Sequence, residues 1–247
     1  MMRRTMCVTR PASPATKVFS RILTSALLAG AGAGLITALL QLVFVQPVLL
    51  HAELYESGTL QHFTGNLVST DPALPGFDPL RDGLSILFTM LVYSGYAMIL
   101  IAGMAMATDR GYPVNGRVGV IWGIAGFVAV HLAPAFSLPP EVPGVAAADV
   151  GARQIWWFAT VIAAAIAMWL IGFGKTWVHW GAAAVLLAVP HLVGAPAPDA
   201  FTGPVPPELA AMFAARALGV GLAAWVLVGC FAGAMWQRSG DDPDKVR

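Results

Sequence analysis

Residues 84–107 read LSILFTMLVYSGYAMILIAGMAMA, an uninterrupted run without Asp, Glu, Lys, Arg or His. At 1.5 Å per residue this run makes a helix of about 36 Å, enough to cross the roughly 30 Å hydrocarbon core of a bilayer. Working outward, five further apolar blocks of comparable size place helices near 22–45, 118–136, 155–173, 177–193 and 217–236. The block at 177–193 is the shortest. It carries His179 and His191 and follows its predecessor after only Gly174, Lys175 and Thr176, a link tight enough for an antiparallel pair. Across the whole chain 57% of residues are hydrophobic and 11% charged, against about one quarter charged in soluble domains. The expected fold is all-α: a polytopic transmembrane bundle of about six helices. Residues 22–236 form its single membrane domain, with tails at 1–21 and 237–247.

The basic start MMRRTMCVTRPASPATKVFSR resembles the head of a signal peptide. The apolar run after it, from Ile22 to about Val45, is too long for a signal core, so a retained first helix is expected. Charge position then orients the chain. Arg3, Arg4, Arg10, Lys17, Arg21, Arg110, Arg117, Lys175, Arg238, Lys245 and Arg247 fall on the N-terminal side, and only Arg81, Arg153 and Arg216 on the other. By the positive-inside rule both termini are expected in the cytoplasm. Acidic residues run the opposite way. Glu53, Glu56, Asp71, Asp78, Asp82, Glu141, Asp149, Asp199 and Glu208 are on the far side; Asp109, Asp241, Asp242 and Asp244 are on the near side. An acidic outer face suits a cation. The net charge of +1 gives no reason to invoke nucleic acid. Cys7 lies in the N-terminal tail and Cys230 inside the last apolar block, so they form no disulfide framework and are expected as free thiols.

The outer connections are long and Pro-rich, as in DPALPGFDP, LPPEVPG and GAPAPDAFTGPVPPE, hence stiff. A weak repeat runs through them. His131-Leu132, then Leu138-Pro139-Pro140-Glu141, then Ala152-Arg153 is echoed by Pro190-His191-Leu192, Val205-Pro206-Pro207-Glu208 and Ala215-Arg216. Arg81, Arg153 and Arg216 each stand just before a helix, the wrong end for the helix dipole, so each is expected to answer a nearby carboxylate.

Ionisable groups at membrane depth are costly and by default mark a pathway or a pair. His131 and His191 close two helices beside prolines, each followed by a loop glutamate, and imidazole with carboxylate suits a divalent first-row metal. The plainer alternative has both rings bonding carbonyls freed at proline-broken helix ends. The segment QPVLLHAELYE offers His51 and Glu53 on one face if extended, or Glu53 and Glu56 if helical; its plainer reading is a solvated juxtamembrane turn. Either way the candidate metal residues are His131, His191, His51, Glu53, Glu56, Glu141 and Glu208. Gln41 and Gln46 can line a polar seam, His179 between Trp177 and Trp180 reads as an interfacial anchor, His62 as a loop residue, and Met98, Met104 and Met106 as packing. Gly30 and Gly34, Gly119 and Gly123, and Gly229 and Gly233 are small-xxx-small pairs that permit close helix approach. No phosphate-binding loop, dinucleotide fingerprint, HExxH or CxxC occurs, so no nucleotide is expected on this chain.

Several of these segments together resemble the CbtA family, bacterial membrane proteins predicted to belong to a cobalt transporter. They are AGLITALLQ (33–41), QPVLLHAELYE (46–56), HLAPAFSLPPEVPG (131–144), GARQIWW (151–157), PHLVGAP (190–196) and PVPPELAAMFAARAL (204–218). The resemblance implies a non-enzymatic multi-pass protein of the bacterial cytoplasmic (inner) membrane. It would act in cobalt uptake beside a small single-span subunit with a histidine-rich end, with cobalt or nickel as a transported cation and no tightly bound cofactor. Two other readings fit the residues: a haem-binding redox subunit with His131 and His191 as axial ligands, and a non-transporting membrane assembly protein.

Overall fold

The computed structural model describes residues 14–61 and 73–240. Cys7, His62, Asp71 and the charges of both distal tails lie outside the described residues. Seven helices follow one another: α1 (Pro14–Phe44), α2 (Gln46–Glu56), α3 (Pro79–Asp109), α4 (Gly116–Ala135), α5 (Val150–Phe173), α6 (Trp177–Val193) and α7 (Pro207–Gly240). No strand occurs among the described residues. Five of the helices, α1, α3, α4, α5 and α7, are long and apolar enough to cross a membrane. With 17 residues, α6 is at the lower limit of a span.

Local chemistry sets the ends. Asp78 precedes Pro79, and its carboxylate accepts from the N–H groups of Leu80 and Arg81, so α3 starts with a proline whose missing donor costs nothing there. Asn115 and Asp149 cap α4 and α5 in the same way, through Val118 N–H and Ala152 N–H. At its other end α3 stops at Gly111, whose φ of +85° lets Tyr112 N–H turn back to the Ala107 carbonyl. Between α1 and α2 the helix breaks at Val45. Pro47 has no N–H to continue the ladder, and the Val48 and Leu49 amides both return to Val45 O. Inside α4, Val128–Leu132 form a π-turn that carries His131.

Two backbone-to-backbone crossings hold the bundle. A Cβ added at Gly119 would collide with the Gly229 carbonyl, one at Gly123 with the Trp225 carbonyl, and one at Gly233 with the Asn115 carbonyl. The glycine pairs of α4 and α7 therefore meet each other. Gly30 and Gly34 of α1 lie as tightly against Ser94 and Met90 of α3. Around these crossings the core is built from Ala26, Ala29, Ala33, Ala97, Ile101, Met104, Trp225 and Val228, small residues alternating with a few large ones. α1 packs along α3 and α7, and α4 along α7; α5 and α6 form a hairpin that joins the rest mainly through the second half of α4.

Several helices start earlier than the sequence expectation: α1 at Pro14 rather than 22, α3 at Pro79 rather than 84 and α5 at Val150 rather than 155. α7 begins at Pro207 rather than 217, because Leu209 packs into a second apolar cluster with Val48, Ala52, Val142 and Val205. The segment after α1 is a helix of its own, so Glu53 and Glu56 stand one turn apart.

Candidate functional site

All the helix ends nearest the Pro-rich connections gather at one end of the bundle, which also holds Glu53, Glu56, Asp78, Asp82, Glu141, Asp149, Asp199 and Glu208. This acidic end is a built cap rather than a set of loose loops. α2 lies across it on Val142, Val205 and Leu209. Gly144, with φ +83°, fits against Glu56 and Val205, and Ala146 N–H donates to Thr202 O to join the two connections.

The seven residues singled out by sequence take different places in this cap. Glu53, Glu56 and Glu208 are exposed. His51 is half-buried against Tyr55, at 5.6 Å between ring centroids. Glu141 is paired with Arg153 at 2.6 Å. His191 has its Nδ1 2.8 Å from the Ser137 hydroxyl, with Phe136 and Trp156 beside the ring. The carbonyl of Pro190, freed near the helix end, accepts from the Trp156 indole at 3.1 Å. His131 lies deeper, among Tyr96, Phe127 and Trp225, and its Nδ1 accepts from the Trp225 indole at 3.0 Å. Among the described residues no three His, Cys, Asp or Glu side chains converge as a metal cage.

The two histidines thus differ chemically. A ring whose Nδ1 accepts an N–H carries its own proton on Nε2, and metal ligation through Nε2 needs that proton on Nδ1 instead. Trp225 therefore holds His131 in a tautomer with no free lone pair, and Gly221 of α7 closes on its Nε2 side. His191 can donate from Nδ1 to Ser137, which leaves the Nε2 lone pair available, the arrangement in which an outer partner orients a ligating ring. The two rings stand on different helices and have different partners, Trp225 for His131 and Ser137 for His191.

Sequence reasoning missed a second polar feature. Asp82, counted there as one outer carboxylate among nine, is 2% exposed and is the one buried charged side chain among the described residues. It accepts from Gln46 Nε2 and Arg81 Nε, both at 2.8 Å, and from Asp78 N–H at 2.9 Å. Arg81 also donates to the Gly76 carbonyl at 3.0 Å. Further into the bundle, Thr89 donates to Gln41 Oε1 at 3.1 Å. Gln41 of α1 and Gln46 of α2 thus both bond side chains of α3, along a polar seam that ends where Gly34 meets Met90. Of the three arginines at this end, Arg81 and Arg153 answer carboxylates. Arg216 instead donates to the Phe44 carbonyl at 3.1 Å, satisfying an acceptor that the α1–α2 break leaves free. His179 sits at the start of α6, its Nδ1 2.6 Å from the Thr176 hydroxyl.

A bundle of long apolar helices, crossed at glycines and polar at one end, defines a polytopic helical membrane protein. Residues 19–237 match the family model described as probable cobalt transporter subunit (CbtA), and the chain belongs to that family. No curated protein and no solved structure matches it.

Proposed function

We propose that this chain is the membrane subunit that gathers a divalent cation, cobalt or nickel, at its acidic end and passes it between the helices. The observation that carries the reading is the cap itself, a folded surface that presents Glu53, Glu56 and Glu208 to solvent on a member of a family described by cobalt transport. His191, His51 and Glu141 belong to the same surface and complete the collecting set. With no three donors converging among the described residues, the cap concentrates cations by charge and hands them on rather than storing them. His131, held by Trp225, is assigned to packing.

The acidic end faces outward and both termini lie in the cytoplasm, with residues 22–236 as the membrane domain and 1–21 and 237–247 as tails. The chain works with a small single-span, histidine-rich subunit in the bacterial inner membrane. It performs no covalent chemistry, and the cation is cargo.

Radiolabelled cobalt accumulation in cells with and without this chain and its companion tests the reading. Replacing Glu53, Glu56 and Glu208 together by glutamine is expected to lower accumulation at limiting cobalt and to leave the amount of protein in the membrane unchanged. Undiminished accumulation at limiting cobalt would remove the collecting role.

A further inference from the structure

Beside the exposed cap, two recesses open between α1, α2 and α3. One, of about 260 Å³, is lined in part by Asp82 and Gly76. The other, of about 340 Å³, is lined in part by Gln41, Glu53 and Ser85. Leu42, Gln46, Leu50 and Arg81 belong to both, so two leucines with these two polar side chains form the partition between a recess that holds Asp82 and a recess that holds Glu53.

We propose that Arg81 is a tethered stand-in for the transported cation, and that a divalent ion passes from the cap into the α1–α3 seam by displacing its guanidinium from Asp82. This rests on the transport reading above and locates the step that follows collection. Three features carry it. First, the only buried carboxylate among the described residues is neutralised by the residue next to it in sequence, whose side chain is about one third exposed and so within reach of solvent. Second, Arg81 already bonds the Gly76 carbonyl, so it has a resting place when it leaves Asp82. Third, the donors around the partition are oxygens: the carboxylates of Asp82 and Glu53, the Ser85 hydroxyl and the amide oxygens of Gln41 and Gln46. Gln46 now turns its NH2 to Asp82, and a half rotation presents its oxygen instead. Six waters at about 30 Å³ each fill roughly 180 Å³, so the larger recess admits an ion still carrying much of its hydration shell. An all-oxygen set takes hard and borderline divalent ions and offers nothing to soft monovalent copper.

The sign of one effect separates this exchange from a structural ion pair. Cobalt uptake is measured against concentration in cells expressing the full chain with its companion subunit, each variant normalised to its amount in the membrane. Arg81→Gln removes the competitor, so the half-saturating cobalt concentration is expected to fall several-fold, and maximal uptake to fall as release slows. The paired variant Arg81→Gln/Asp82→Asn keeps the polar packing without charge; it is expected to reach the membrane normally and to lose saturable uptake. Unchanged half-saturation in Arg81→Gln, or wild-type uptake by the paired variant, would overturn the proposal and leave the transport reading standing. If the wild-type chain adds no cobalt uptake at all, the transport reading falls first and this step with it.

Discussion

The crossing of α4 and α7 is close enough that one methyl group can be used to measure it. At Gly229 an added Cβ would collide with the Gly119 carbonyl and sit 2.7 Å from Gly123 Cα and N. Carbon contacts are comfortable near 3.5–4.0 Å, so Gly229→Ala must push the helices apart by about 1 Å, and a gap of that size forfeits roughly a quarter to a half of each lost contact's attraction. Overpacking of this kind costs about 1–3 kcal/mol. At roughly 2–4 °C per kcal/mol for a chain of this length, the melting temperature in detergent is expected to drop by about 2–12 °C. Gly219→Ala on the same helix is the control: nothing lies within 4 Å of its added Cβ, and its melting should stay with the wild type. Gly119→Ala/Gly229→Ala should cost less than the sum of the two single changes, because one separation relieves both clashes. A Gly229→Ala protein that melts with the wild type, or a Gly219→Ala protein that falls as far, would refute the backbone contact.

Three other outcomes are expected, two from side-chain contacts and one from the proposed orientation. His131→Gln keeps an acceptor for the Trp225 indole and should preserve both protein level and cobalt uptake, whereas His131→Ala leaves a buried N–H unpaired at a cost of about 1–3 kcal/mol and should lower protein level; loss of uptake by His131→Gln at normal protein level would return His131 to the ligand set. For the Glu141–Arg153 pair, about one quarter exposed on each side, either single neutralisation leaves a partly buried charge unpaired and should cost about 1–3 kcal/mol in thermal unfolding, and Glu141→Arg/Arg153→Glu should recover part of it; a double exchange worse than the sum of the singles would show that the pair's direction matters. Single cysteines at positions 65, 145 and 202 should react with an impermeant thiol reagent in intact cells and those at 112 and 242 should not, and the reverse pattern would invert the orientation.

The spans were legible because apolar blocks in a chain this poor in charge end sharply at Arg, Asp and Pro. What the blocks could not show was where a helix continues beyond the lipid. The first turns of α7, PELAAMFAAR, carry Glu208 and Arg216 and read as loop, yet they are helical because Leu209 has Val142 and Val205 to pack against. The glycine pairs announced close approach, but spacing fixes only a face, and the meeting of Gly119 with Gly229 is a tertiary fact. The candidate site was less legible for the same reason. His131 and His191 look alike locally, each with a nearby proline and a following glutamate. They are told apart by Trp225, 94 positions from His131, and by Ser137, 54 positions from His191. Asp82 looked like one more outer acid because its burial depends on Gln46, 36 positions earlier. The useful signal was present all the same, in a glutamine placed at the broken end of an apolar helix.

The position of α7 in the order of synthesis has a consequence for how the protein is made. It is the last described helix to leave the ribosome, yet it supplies one side of the α4 crossing and, through Trp225, Val228 and Trp236, much of the core. It is also tied to the start of the chain: Arg21 donates to Ser239 at 2.8 Å across 218 positions and lies over the Trp236 ring. Until α7 is inserted, the bare glycine face of α4 and one flank of α1 have only lipid beside them. The nascent bundle therefore stays open through most of its translation and closes at the end, ring-like, on its own first helix. The glycine face of α4 waits for about seventy residues of chain before its partner helix begins, and the flank of α1 waits longer still.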